Sequence, residues 1–118
     1  MKINLAVLVV IPLCMASSIV QADCTYPKGP IAIPKAKSAT EAEMLEAMVA
    51  FKQYNSDVDT YVECLNAETR VKIKESGAAS SIVQIKAIQA KKKSVAIDEL
   101  KSKVEAFNQA VREFKDRS

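Results

Sequence analysis

Beyond Pro34 the chain contains no proline and a single glycine, Gly77. Because these two residues are the strongest interrupters of regular backbone structure, their absence permits a long helix on each side of Gly77. Glycine also adopts the left-handed conformation that ends many helices. The sequence therefore predicts an all-α fold in which two long helices meet near Gly77.

The first predicted helix, about Thr40 to Glu75, has a recognisable start and an amphipathic repeat. Thr40 and Glu43 have the spacing of a capping box, and Ser38 with Glu41 offers the same spacing two residues earlier. Mostly apolar residues then recur at steps of four and three, as in a coiled coil. These are Met44, Met48, Phe51, Asn55, Val58, Val62 and Leu65.

The second predicted helix runs from about Ser81 to Arg117, after a turn at 76–80 in which Ser80 or Ser81 provides the cap. Its clearest apolar repeat comes late: Ile97, Leu100, Val104, Phe107, Val111 and Phe114. In a hairpin that turns near Ala78, the numbers of facing residues sum to about 157, which places the apolar halves of the two helices together. We therefore expect a long, coiled-coil-like antiparallel hairpin over residues 40–117.

An extended leader, residues 23–39, precedes the hairpin. Pro27, Pro30 and Pro34 exclude a helix and favour polyproline II, although the composition also allows a disordered segment. The leader can span about 50 Å, whereas Thr40 to Cys64 is about 36 Å along a helix. The leader can therefore run back along the first helix.

The flank of the first helix that carries Cys64 offers a surface for this leader. Tyr54 and Tyr61 fall on the same flank, beside Ala47 and Ala50. Two interpretations remain open: the tyrosines widen the core face, or they form a second contact surface on which the prolines pack.

Residues 1–22 are typical of a signal peptide. Lys2 precedes an apolar stretch from Leu5 to Leu13, and the preferred cleavage site follows Ala22. A cut after Ala16 and an uncleaved membrane anchor are the alternatives. We therefore predict a periplasmic or secreted protein.

Cleavage after Ala22 removes Cys14 and leaves two cysteines. In an oxidising compartment we expect Cys24 and Cys64 to form a disulfide that staples the leader to the hairpin. A redox-active pair is the alternative, but thiol oxidoreductases usually place their cysteines close together in sequence.

Residues typical of catalytic or cofactor sites are scarce. The chain has no histidine, no cysteine pair at short spacing and no glycine-rich phosphate loop. Asp57 and Asp59 are two residues apart and point to different sides of a helix. We therefore expect no enzyme, no cofactor and no metal site.

Charge is distributed unevenly along the sequence. Residues 38–69 contain seven acidic residues and one basic residue, whereas residues 70–93 contain seven basic residues and one acidic residue. In a hairpin the basic block lies at the closed tip, where it is either a solvated surface or a patch for an anionic partner. The patch would comprise Arg70, Lys72, Lys74, Lys86, Lys91, Lys92 and Lys93.

Several short motifs resemble small exported helical proteins of unknown function from Gram-negative bacteria. The resemblance covers residues 23–65 and consists of Asp23-Cys24, the proline-containing leader, Ala39-Thr40, Glu43-Met44, Tyr54, Tyr61 and Cys64-Leu65. It implies periplasmic residence and supplies no activity.

The predicted function is that of a non-enzymatic structural or protein-interaction module of the envelope. Met48, Ile88 and Val95 lack an intramolecular partner in the predicted hairpin, so the partner is an envelope protein or a second copy. The alternative is a protein that binds anionic lipid or glycan, such as a membrane surface, through the basic tip. A thiol-redox or other enzyme is the third class, and we expect no nucleic-acid partner.

Overall fold

The computed structural model describes residues 23–30 and 32–117, which contain two helices and no strand. Helix α1 is Glu41–Ser76 and helix α2 is Ala79–Arg117. The helices pack against each other as an antiparallel hairpin, which confirms the predicted all-α fold. The predicted signal peptide, with its cleavage site, and Ile31 of the leader lie outside the described residues.

Both ends of α1 follow from local sequence. The Thr40 hydroxyl accepts the backbone N–H of Glu43 at 3.2 Å, and the Glu43 carboxylate accepts the N–H of Thr40 at 2.7 Å. This complete capping box fixes the start that the sequence left open between two positions. At the other end Gly77 has φ 62°, the left-handed conformation that terminates the helix.

The turn between the helices is shorter than predicted. We expected residues 76–80 to connect the helices and Ser80 or Ser81 to cap α2, but α2 already begins at Ala79. The Ala78 carbonyl accepts the N–H of Ile82 at 3.1 Å and therefore opens the first helical turn. Because only Gly77 and Ala78 separate the two helices, both serines lie inside α2 and the predicted cap is wrong.

The two helices meet in the predicted register. The rings of Phe51 and Phe107 stack with their centroids 4.6 Å apart. Facing residues have numbers that sum to about 158, as expected for an antiparallel hairpin with a short turn. Met44 and Val58 belong to the same buried cluster, against which the late apolar residues of α2 pack. The predicted α2 stripe is therefore part of the core.

The leader lies along one flank of α1. Pro27 is buried, and Gly29 lies so close to Tyr54 that a Cβ atom there would be 2.8 Å from the ring. The Tyr26 and Tyr61 rings meet edge to face with centroids 5.4 Å apart. The tyrosine flank is therefore a contact surface for the leader. Tyr54 and Tyr61 also belong to the buried clusters formed with α2, so both interpretations left open by the sequence hold.

Candidate functional site

A disulfide joins the leader to α1. Cys24 and Cys64 have Cα atoms 5.7 Å apart and their sulfur atoms are bonded, as predicted. Tyr61 and Leu65 are buried beside this bond together with Ala96 of α2, and Cys24 packs against them. The disulfide therefore anchors the first residues of the leader at the middle of the hairpin.

The other end of the leader is held by the last turn of α2. The Arg117 guanidinium donates hydrogen bonds to the Lys37 carbonyl at 2.8 Å and to the Ala39 carbonyl at 2.7 Å. Ala36 and Ala39 are buried in the main core. The leader is thus fixed near both of its ends, by a covalent bond and by a bidentate arginine contact.

Polar side chains of α2 fasten the middle of this interface. The Tyr26 hydroxyl donates a hydrogen bond to Glu99, which also forms an ion pair with Lys103 at 2.9 Å. The Lys103 ammonium lies 5.4 Å from the centroid of the Tyr54 ring, within range of a cation–π contact. The hydrogen bond from Tyr26 lowers the pKa of Glu99 below its ordinary value and raises the pKa of Tyr26 to about 12.

The α2 residues on this side recur every seven positions, a signal that apolar patterning alone does not reveal. Gln89, Ala96, Lys103, Ala110 and Arg117 contact α1 or the leader through hydrogen bonds, cation–π contact or packing. Only two of the five are apolar, and both are alanines. Because the row mixes residue types, no pattern of residue type in the sequence singles it out.

Gln89 is the buried polar residue of the hairpin. In the sequence it interrupts the apolar stripe, yet it is 2% exposed and its amide nitrogen donates to the Glu68 carboxylate at 3.0 Å and to the Leu65 carbonyl at 3.5 Å. Its amide oxygen has no hydrogen-bond partner among the described residues. The hydrogen bond from Gln89 and the ion pair with Lys72 lower the pKa of Glu68.

The Tyr26–Glu99 contact gives the leader a pH-dependent attachment. We expect Tyr26→Phe to lower the free energy of unfolding by less than about 1 kcal/mol, because the Tyr26–Glu99 pair is partly exposed. A carboxyl whose folded pKa is depressed stabilises the fold above its ordinary pKa of 4.5 and loses that contribution as acid protonates it. At the alkaline end, the same contribution is lost when the Tyr26 hydroxyl is deprotonated. Because the pKa of Tyr26 is raised, this happens only as the pH rises from 10 through about 12.

Thermal unfolding of wild type and Tyr26→Phe across pH tests this attachment. The difference between their melting temperatures should be largest from about pH 5 to 9 and should shrink below that window as Glu99 is protonated. A difference that stays constant down to acid pH would contradict the role of Glu99.

The opposite side of the hairpin, here called the open face, is an apolar groove. Every residue that lines it belongs to α1 or α2. The groove consists of two adjoining cavities that share Met48, Phe107 and Val111. Leu45 and Met48 are 50% and 39% exposed there. The remaining lining residues are Glu41, Met44, Phe51, Lys52, Asn55, Val104, Asn108, Phe114 and Lys115.

The predicted anion-binding residues are distributed along the closed part of the hairpin. The residues nearer to the turn are Arg70, Lys72, Lys74 and Lys86. The three lysines at positions 91–93 lie about 20 Å from the turn along α2. In the register of the hairpin they face the end of the Asp57–Glu68 segment that contains Glu68. Lys93 donates to the Asn66 amide oxygen at 2.9 Å, and Lys72 pairs with Glu68 at 2.9 Å. Lys72 and Lys93 therefore have an acidic and a polar partner respectively, and Glu75 follows Lys74 directly in the sequence.

Within residues 23–30 and 32–117, no three His, Cys, Asp or Glu side chains are grouped so that they could hold a metal ion. In the same part of the chain neither helix has a stretch apolar enough to cross a membrane. Comparison with family models, curated proteins and solved structures returned no match to this chain. The resemblance to small exported proteins therefore stays a prediction. A proposal of function has to be based on the geometry of the two faces of the hairpin.

Proposed function

We propose that this chain is a non-enzymatic interaction module of the bacterial envelope that binds a protein partner through its open face. The observation that carries the proposal is the unequal covering of the two sides of the hairpin. The leader, held by Cys24 and Arg117, shields the tyrosine side. The open face presents an apolar groove without any leader residue in its lining.

The apolar residues of the open face are contiguous. Isolated apolar residues on a surface are normal, whereas a continuous apolar groove rimmed by polar residues is typical of an interaction site. Leu45 and Met48 lie next to Phe107 and Val111 in the same groove, and Lys52 and Asn108 lie at its edge. Covering these residues would stabilise a complex at about 25 cal/mol for each Å² of apolar surface buried.

The Cys24–Cys64 disulfide supports the envelope as the site of action. Disulfides persist in oxidising compartments and are rare in reducing ones. The signal-like residues 1–22 point to the same compartment. A disulfide also suits a chain whose two helices form only a single layer, because such a layer buries a thin core.

The size of native complexes in envelope extracts tests the proposal. We expect wild type to migrate above monomer size and Met48→Glu to migrate as a monomer, because desolvating a carboxylate in an apolar contact costs more than an ion pair with Lys52, four residues on, returns. Val95→Glu is the matched control, since Val95 is 45% exposed but does not line the groove. Monomer-sized migration of all three proteins would refute the proposal.

A second candidate function is adsorption to anionic envelope surfaces through the tip of the hairpin. Arg70, Lys74 and Lys86 have no ion pair among the described residues, and Glu75 is the single acidic residue between positions 70 and 86. Each basic residue near an anionic membrane contributes about 1 kcal/mol. Three acting together would increase binding by about 100-fold.

Vesicle sedimentation distinguishes this patch from a solvated tip. At low salt, reversal of Arg70, Lys74 and Lys86 to glutamate should abolish binding to anionic vesicles. The same reversal of Lys91, Lys92 and Lys93 should weaken it less, because acidic residues of α1 lie closer to them in the hairpin. Binding should also fall as salt shortens the Debye length to about 8 Å. If wild type does not sediment with anionic vesicles at low salt, the tip is a solvated surface.

A further inference from the structure

We infer that the closed end of the hairpin inserts end-on into the headgroup layer of an anionic phospholipid membrane, with Val83 as its apolar anchor and the rest of the hairpin standing away from the surface. This inference rests on the second candidate function, adsorption through the tip, and adds the ligand, the inserted residue and the orientation. Three features of the molecule support it: the charge along the hairpin, the composition around the turn and the exposure of Val83.

Charge is separated along the length of the hairpin. The closed part, residues 65–93, contains seven basic and two acidic residues, a net charge of +5. The other described residues contain nine basic and twelve acidic residues, a net charge of −3. An anionic surface therefore attracts one end of the molecule and repels the remainder.

Only two acidic residues of the described helices lie near the tip, and both have a basic neighbour. Glu68 pairs with Lys72 at 2.9 Å, and Glu75 directly follows a lysine in the sequence. The next acidic residue of α1, Glu63, is about 20 Å from the end of the helix, and the first one of α2, Asp98, is farther still. These distances exceed two Debye lengths of about 8 Å. An end-on orientation therefore keeps the acidic part of the hairpin out of range of the surface, whereas a flat orientation would bring it into range.

The turn and the residues next to it form an uncharged end. Residues 76–85 contain no charged side chain, and the turn residues Gly77 and Ala78 are exposed. Basic residues flank this stretch, with Lys74 shortly before it and Lys86 directly after it. Lysine side chains can lie along apolar surface while their charged ends stay among polar groups. The tip therefore has the order that a membrane interface requires, with an uncharged end in front of a set of cations.

Val83 is the apolar side chain that this end presents. It is 69% exposed, whereas the neighbouring Ile82 and Ile85 are partly buried in the hairpin. Val83 lies four residues into α2, about 6 Å from the start of the helix. Helices at a membrane interface bury their apolar side chains about 5 to 10 Å into the boundary between headgroups and acyl chains. Insertion to this shallow depth therefore covers Val83 and leaves the cations at the level of the headgroups.

The end-on orientation leaves the open face accessible to a protein. Asn55 lines the groove on α1 and is about 30 Å from the end of that helix. This distance is well beyond an insertion depth of about 10 Å. The hairpin is therefore a stalk that is attached to the membrane at one end and presents its groove near the other.

Vesicle sedimentation of the oxidised protein at low salt tests the anchor. Val83→Ser should raise the dissociation constant for phosphatidylglycerol vesicles about tenfold, because it removes the apolar surface that inserts. Val49→Ser is the matched control, since Val49 is 66% exposed but lies about 40 Å from the end of α1. Its binding should equal that of wild type, and circular dichroism confirms that both variants are folded. Equal binding by wild type and Val83→Ser would overturn the anchor.

Energy transfer to an acceptor dye on the lipid headgroups tests the orientation. A donor dye is attached through Val83→Cys or Val49→Cys, with the native disulfide intact and a dye pair of short transfer distance. End-on binding predicts strong transfer from position 83 and weak transfer from position 49, which stands about 35 Å above the surface. A hairpin that lies flat would bring both donors within about 20 Å of the headgroups. Strong transfer from both positions would overturn the end-on orientation.

These outcomes separate the inference from the function on which it rests. If wild type sediments with phosphatidylglycerol vesicles, but Val83→Ser binds equally well and both donors transfer strongly, the hairpin adsorbs by charge alone and the end-on insertion is wrong. If wild type does not sediment with these vesicles at low salt, adsorption and insertion are both wrong.

Discussion

Replacing both Cys24 and Cys64 by serine is expected to destabilise the folded hairpin by about 4 kcal/mol, the loop-closure value for a loop of about 41 residues. The two cysteines are 40 residues apart and close a loop that contains the whole leader and two-thirds of α1. Without the bond, the unfolded chain gains the conformational freedom that the loop now removes.

Urea unfolding of the double serine variant and wild type measures this effect. Wild type in a strong reductant should show the same loss of free energy as the variant, because both remove the same constraint. A loss below about 1 kcal/mol would contradict the staple, because it would mean that the noncovalent contacts hold the leader unaided.

The second large effect is expected from the ring at the centre of the core. Phe107 is 6% exposed and stacks on Phe51 at 4.6 Å, so Phe107→Ala should cost about 3 to 5 kcal/mol through lost burial and the cavity that remains. Arg112→Ala is the matched control, because Arg112 is a long exposed side chain on the same helix. Its effect should stay within about 0.5 kcal/mol.

Thermal or urea unfolding compares the two variants directly. Phe107→Ala should unfold far earlier than wild type, while Arg112→Ala should unfold with it. Equal destabilisation by the two substitutions would contradict the register that places Phe51 opposite Phe107.

The fold was predictable because its determinants are local and periodic. Beyond Pro34, the lack of proline and of any glycine except Gly77 predicts long helices, and the capping box at Thr40 fixes where the first one begins. The apolar halves of both helices are equidistant from the turn, which predicts the register. The disulfide follows from the reach of the leader together with the oxidising compartment that residues 1–22 predict.

The contacts between the leader side and α2 were only partly predictable, because long polar side chains make several of them. Lys103 and Arg117 look like solvent-facing residues in the sequence, yet their cationic ends lie over the Tyr54 ring and on leader carbonyls. Gln89 is buried through hydrogen bonds that depend on Glu68 of the other helix. Such contacts depend on tertiary neighbours and leave no hydrophobic periodicity.

The placement of the basic residues could not be obtained from charge counts along the chain. A block of like charges in sequence predicts a patch only if no opposite charge faces it in the fold. Lys91, Lys92 and Lys93 fall beside the acidic segment that ends at Glu68. The hairpin therefore leaves the residues nearest the turn as the better candidates for anion binding.

The central claim is that the two sides of α1 have different occupants: the leader on one side and a separate chain on the other.

Photo-cross-linking in the native envelope at two adjacent positions tests it. Ala47 lies with Ala32 and Pro34 of the leader, whereas Met48 lines the open face. A photoreactive residue at position 47 should cross-link to the leader within the chain, and one at position 48 should join two chains. Cross-links within the chain at both positions, or none between chains at position 48, would contradict the account.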